Sequence, residues 1–162
     1  MTPHMQMTAF LFSVLVFLSV PRVRAQDPER TAVLATVQKV FDGMRTRDTL
    51  LIQQAFDTSG RLLRVAGGAA PSVRGISASR FAGIVRGAKE GDVWNERIFD
   101  PEVRVDGNIA QVWAYYTFHL NATFTHCGTD AFMLLKLGDT WRITQLIDTE
   151  RQQGCTHSEQ RD

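Results

Sequence analysis

At Val93 the spacing of apolar residues changes from about 3.6 to 2, and that change constrains the fold more than any other feature of the chain. Upstream the pattern is helical. Asp27-Pro28-Glu29 supplies an N-cap acceptor, a proline at the first helical position and an acid at the positive end of the dipole. Val33, Leu34, Val37, Val40, Phe41 and Met44 then recur at spacings of three and four, one stripe along a long helix. Asp48 caps a shorter helix with Leu51, Ile52, Ala55 and Phe56 inward, stopped at Thr58-Ser59-Gly60. Residues 61–66 read as a short strand and 67–71 as a loop. Ser77 or Ser79 caps a third helix carrying Phe81, Ile84 and Val85, closed by Gly87. The glycines at 67–68 lack the Gly-Lys-Ser/Thr of a phosphate loop, so a plain turn is expected there.

Downstream the pattern is a meander. Residues 93–99 form a strand broken at Asp100-Pro101 by a bulge or edge, because proline cannot donate to a ladder. Asp106-Gly107 is a hairpin turn. Strands follow at 108–121, 127–137 and 140–150, separated by a turn over 122–126 and by Gly138-Asp139. Three helices before an antiparallel meander make an α+β fold, and the first helix can bury its stripe only against the sheet. Pairing across the turns puts Val112, Ala114, Tyr116 and Phe118 on one face with Asp130, Phe132, Leu134, Ile143 and Ile147. The other face collects Trp113, Tyr115, Thr117, His119, Met133, Leu135, Leu137, Arg142, Thr144, Leu146 and Asp148. It is apolar enough to predict a homodimer through the outer sheet face.

The 12 apolar residues 9–20 are too few to span a bilayer, which takes about 20. Pro21 ends the run, and Val23-Arg24-Ala25 fits a signal-peptidase site, although no Lys or Arg precedes the run. Residues 1–25 are therefore read as a signal peptide, 26–155 as one domain and 156–162 as a polar tail. The expected location is exported, periplasmic or secreted. Removing Arg22 and Arg24 with the leader leaves 16 basic against 17 acidic residues, a balance without the footprint of a nucleic-acid partner or an anionic membrane. Hydrophobic content of 44% and charge of 22% exclude a disordered tail.

Cys127 and Cys155 are the two cysteines, and an even count in an oxidising compartment favours a bond over two separate thiols. The Gly138-Asp139 turn places Cys127 opposite Glu150, short of Cys155. Bonding then needs the tail to fold back near Gly154, or a bulge near Gly128 to shift the register.

Taken in order, the opening helix, the strand residues 110–118 and the ending from Trp141-Arg142-Ile143 to Asp148-Thr149 resemble the nuclear transport factor 2-like superfamily, also called SnoaL-like. Residues 126–132 and Gly154-Cys155 resemble an exported bacterial branch of unassigned function. The resemblance implies a cystatin-like α+β roll: a cone-shaped curved antiparallel sheet wrapped around the long N-terminal helix, often dimeric, with a pocket at the open end. It implies no single activity, since such folds serve isomerases, dehydratases, cyclases, ligand binders and assembly modules.

Within that frame Asp130 is the first residue to test. On an apolar face, desolvation raises a carboxyl's pKa into the range of a general acid or base. Tyr116 can polarise a carbonyl as its catalytic partner. Phe118, Phe132 and His126 line the expected ligand site. The competing readings make Asp130 a binder of backbone amides or arginine and His126 an exposed loop residue. No metal site is expected, because His119, His126 and His157 lack helical i, i+4 spacing. No cofactor is expected either. The leading functional reading is a binder of a small apolar or amphipathic molecule. The alternatives are a cofactor-free isomerase-, dehydratase- or cyclase-type enzyme using Asp130 and Tyr116, or a homodimeric interaction module.

Overall fold

The computed structural model describes residues 27–66 and 72–157. The signal-peptide reading of 1–25, the 67–71 loop and the end of the tail lie outside the described residues. Helix α1 (Pro28–Thr46) starts as the sequence predicts, with Asp27 accepting from the Glu29 amide at 3.0 Å. Helix α2 (Thr49–Ala55) is capped by Asp48 and α3 (Ala78–Arg86) by Ser77. Six strands, β1 (Phe56–Ala66), β2 (Ser72–Ser77), β3 (Trp94–Asp106), β4 (Ile109–Leu120), β5 (Thr123–Leu137) and β6 (Thr140–Thr149), form one sheet in the order β2-β1-β6-β5-β4-β3. The sheet is curved and unclosed, and α1 lies in its hollow, giving the expected α+β roll. One pairing departs from the antiparallel expectation: β1 runs parallel to β6. Strand β2, which pairs with β1, has no counterpart in the sequence reading, because it is largely exposed and carries no alternating apolar signal.

The helical stripe is the core. Val33, Val37, Val40 and Phe41 are buried against Val112, Phe132, Leu134 and Ile143, with the Phe41 and Phe132 rings edge to face at 6.2 Å. Each such side chain contributes roughly 1.5–3 kcal/mol by leaving water. Polar ties set the angle of α1. Glu29 accepts from Lys136 Nζ at 2.6 Å and Trp141 Nε1 at 2.9 Å, and Arg30 donates to the Pro101 carbonyl at 2.8 Å. That carbonyl belongs to the bulge at Asp100-Pro101, where two residues of β3 oppose Ala114 alone.

Two further bulges correct the expected strands. Thr144 is an extra residue in β6: Met133 pairs with Gln145 and Leu134 with Ile143, while the Thr144 hydroxyl donates to the Met133 carbonyl at 3.2 Å. A single extra residue inverts the alternation beyond it. Leu146 and Asp148 therefore turn to the inner face, where Ile147 was expected. Thr125 is the second extra residue, between the pairs Phe118–His126 and His119–Phe124. The predicted 122–126 loop is thus mostly strand, and His126 enters the sheet rather than a loop.

The Thr144 bulge also resolves the disulfide register. Cys127 pairs with Arg151 through backbone bonds of 2.9 and 2.8 Å, one residue beyond the expected Glu150. Gly154, with φ of 65°, reverses the chain, and Cys127 and Cys155 are bonded. Thr156 and His157, expected in a loose tail, are fastened across the outer face. The Thr156 amide donates to the Tyr115 hydroxyl, which donates to the Thr156 carbonyl, both at 2.8 Å, and His157 stacks on Phe99 at 4.2 Å.

Candidate functional site

A cavity of about 580 Å³ opens between α1, α3 and the inner face of the sheet. The strands supply its wall largely as i, i+2 pairs: Leu62 and Arg64, Arg74 and Ile76, Trp94 and Glu96, Phe118 and Leu120, Leu146 and Asp148. His126 and Asp130 come from β5, Val40 and Met44 from α1, and Phe81 from α3. Asp92 stands just before β3. One part of the wall is apolar and aromatic, and the carboxyls of Glu96, Asp130 and Asp148 converge on another.

Asp130 is 1% exposed, and no donor reaches its Oδ2. The Glu96 and Asp130 carboxyls lie within hydrogen-bonding reach of each other, a contact that attracts only when they share a proton. Burial, and then the charge of Asp148, pushes Glu96 up to about 8. Burial and the charges of Glu96 and Asp148 hold Asp130 well above the usual carboxylate range. Arg64 donates to Asp148 at 2.6 Å and to Glu150 at 2.5 Å, which leaves both of its ion pairs at the rim of the cavity. His126 stacks on Phe118 at 5.0 Å, and its Nδ1 is 2.7 Å from the Thr125 hydroxyl. Its Nε2 is buried without a partner, and burial lowers its pKa, so the ring is neutral at pH 7.

Of the residues named from sequence, the structure brings Asp130, His126 and Phe118 to the cavity. It does not bring Tyr116 or Phe132. Phe132 is spent on the core against Phe41. Tyr116 is wholly buried, and its hydroxyl donates to the Thr149 carbonyl at 2.8 Å. The side chain that meets Asp130 is thus Glu96, while the Tyr116 phenol is committed to the backbone. Glu96 was missed, although its signal was available as an acid in register between Trp94 and Ile98. Arg64 gave no such signal. Asp148 was assigned to the outer face, because nothing in the sequence announces the extra residue at 144.

The linked carboxyls predict an unusual pH dependence of stability. A carboxyl with a raised folded pKa stabilises the fold while it holds its proton. For Glu96 that contribution is complete below the unfolded value of 4.5 and is lost as pH climbs to about 8. His126 acts oppositely: its contribution is present above its unfolded value of 6.5 and is lost in acid. Thermal melts should therefore show stability falling between pH 6.5 and 8. Asp130→Asn removes one of the two like charges and should raise stability at pH 8 by roughly 1–3 kcal/mol while flattening the slope. A steeper slope in that variant would mean that the carboxyls do not repel.

A long helix cradled in a curved, unclosed sheet, with a cavity beside the helix, is the nuclear transport factor 2-like architecture, and solved members of that superfamily are the structural neighbours. Within it, the family model described as "Putative lumazine-binding" matches residues 28–146, and the chain belongs to that family. No curated protein matches the chain. Among solved structures it is similar to a protein of unknown function from Shewanella baltica OS155, with 16% identity, 76% of this chain and 94% of that one covered, and a TM-score of 0.59. A superfamily protein from Salmonella enterica serovar Typhimurium shares 14% identity over 80% of this chain and 97% of its own, with a TM-score of 0.58. A protein of unknown function with a cystatin-like fold from Nostoc punctiforme shares 8% identity over 76% and 92%, also with a TM-score of 0.58. At these identities the likeness is one of fold.

Proposed function

We propose that this domain binds a small amphipathic molecule in the cone cavity. The observation that carries the reading is the pairing of an open, largely apolar hollow with two buried polar atoms, Asp130 Oδ2 and His126 Nε2, that have no partner. Leaving such atoms unsatisfied costs about 1–3 kcal/mol each, a cost that a ligand with a polar edge would offset. The family's description makes lumazine the first probe, since its flat ring suits Trp94 and Phe118 and its polar edge suits the carboxyls. Lumazine, or a panel of flat heteroaromatics, should quench tryptophan fluorescence saturably, and Trp94→Phe should remove most of the change. Native mass spectrometry of fresh protein should show extra mass that denaturation releases. Absence of both signals would end the ligand reading.

The second reading is a cofactor-free proton-transfer enzyme, favoured by the shared proton of Asp130 and Glu96 beside a neutral His126. In that case Asp130→Asn abolishes turnover without lowering the melting temperature. Export belongs to the proposal as well. The bond between Cys127 and Cys155 suits an oxidising compartment, and no described helix is long and apolar enough to cross a membrane. A homodimer through the outer face is proposed from Ile109, Trp113, Met133 and Leu135, which stand 39–52% exposed on adjacent strands. Sedimentation velocity should find a dimer at micromolar concentration and a monomer for Trp113→Lys. A wild-type monomer would remove this part.

A further inference from the structure

Two acids in the cavity wall, Glu96 and Asp130, have no cationic partner among the described residues, which says what kind of head group would complete the site. Every element around the hollow can be checked for charge. Helices α1 and α3 bring Val40, Met44 and Phe81, none of them ionisable, and β4 brings Phe118 and Leu120. The charged groups are Arg64 on β1, Arg74 on β2, Asp92 before β3, Glu96 on β3, Asp130 on β5 and Asp148 on β6, with neutral His126 beside them. Arg64 is committed to Asp148 and to Glu150 outside the cavity wall. Arg74 stands exposed on the edge strand. Among the described residues neither Glu96 nor Asp130 forms an ion pair, and Asp130 Oδ2 faces no donor while 1% exposed. Buried carboxylates are normally paired, because removing an unpaired charge from water is costly. Trp94, Phe118 and Phe81 line the same cavity, and aromatic rings favour a nearby cation.

Building on the cavity as the binding site, we propose that its ligand carries a cationic nitrogen head on a flat apolar body, the head lodging between Glu96 and Asp130. An amidinium fits best by class, since its parallel N–H groups can each donate to a carboxylate oxygen. Glu96 and Asp130 share a proton when the cavity is empty, so the cation displaces that proton to solvent. Binding then strengthens as pH rises toward the point where Glu96 ionises unaided, about 8.

The test compares benzamidine with its neutral counterpart benzamide and the anion benzoate, followed by amide chemical-shift titration of the full chain, with lumazine as a fourth probe. Benzamidine should bind at least tenfold more tightly than benzamide, and benzoate not at all. A pH indicator in weak buffer should read release of up to one proton per benzamidine bound, and benzamidine affinity should rise from pH 6 to pH 8. Asp130→Asn should erase the preference. Should that variant fail to fold, Glu96→Gln should reduce the preference at least threefold. Benzamide or lumazine binding as tightly as benzamidine would overturn the cationic head while leaving the cavity as a binding site. Failure of all four probes to shift any cavity residue would overturn both.

Discussion

Gly128→Ala is expected to destabilise the domain by about 4 kcal/mol or more, a large share of the 5–15 kcal/mol typical of a domain this size. A Cβ at that position would lie 1.8 Å from the Thr149 carbonyl oxygen and 2.6 Å from Cε1 of Tyr116. Neither neighbour can retreat cheaply. The carbonyl accepts the Tyr116 hydroxyl, and the ring is fully enclosed. The end of β6 and the inner face of β5 would have to part, and Asp148 sits one residue from the collision. Urea denaturation should place the variant's midpoint far below that of the wild type. Tyr116→Phe, which loses only one hydrogen bond, should cost about 1 kcal/mol and so separates the close approach from the bond. A Gly128→Ala midpoint close to that of Tyr116→Phe would show that the approach is looser than described.

Loss of the Cys127–Cys155 bond has the second largest expected effect. The cysteines are separated by 28 residues, and closing a loop of that size stabilises by roughly 3–4 kcal/mol in the chain-entropy model. Cys127 is completely buried, so replacement by serine also takes a hydroxyl out of water. Cys155→Ser, at a half-buried position, isolates the bond itself. Its melting temperature should fall by about 10 °C. Reductant should produce a similar fall in the wild type and none in the variant. The Thr156–Tyr115 and His157–Phe99 contacts depend on the same fastening, so a stacking-sensitive signal at His157 should vanish together with the bond. Equal melting temperatures with and without reductant would make the bond ornamental.

The helices and the long strands were legible in the sequence because their signals are local. Asp27, Asp48 and Ser77 announce helix starts by capping chemistry, and the stripe from Val33 to Met44 follows the helix period without interruption. Asp130 was legible too, as an acid among inward-facing apolar residues. What escaped depends on events with no local signature. Thr144 and Thr125 are ordinary strand residues, and their status as extra residues is set by the partner strand. The effect of Thr144 is large, since it decides the face of Asp148. Strand β2 escaped because an exposed edge strand needs no apolar alternation. The bond of the Tyr116 hydroxyl was not legible, because its partner is a backbone carbonyl 33 residues away, invisible to any reading of residue types.

The surplus residue in β6 has a bearing on how relatives should be compared. A gap-free alignment through this strand would match acids to acids and still misjudge which of them reach the hollow. A homologue of equal length that takes its counterpart of Thr144 into the regular ladder would bring its counterpart of Ile147 inward and send the acid to the far side. Whether this one strand bulges, more than the identity of any carboxylate, should then separate those members of the family that share this chemistry from those that share only its shape.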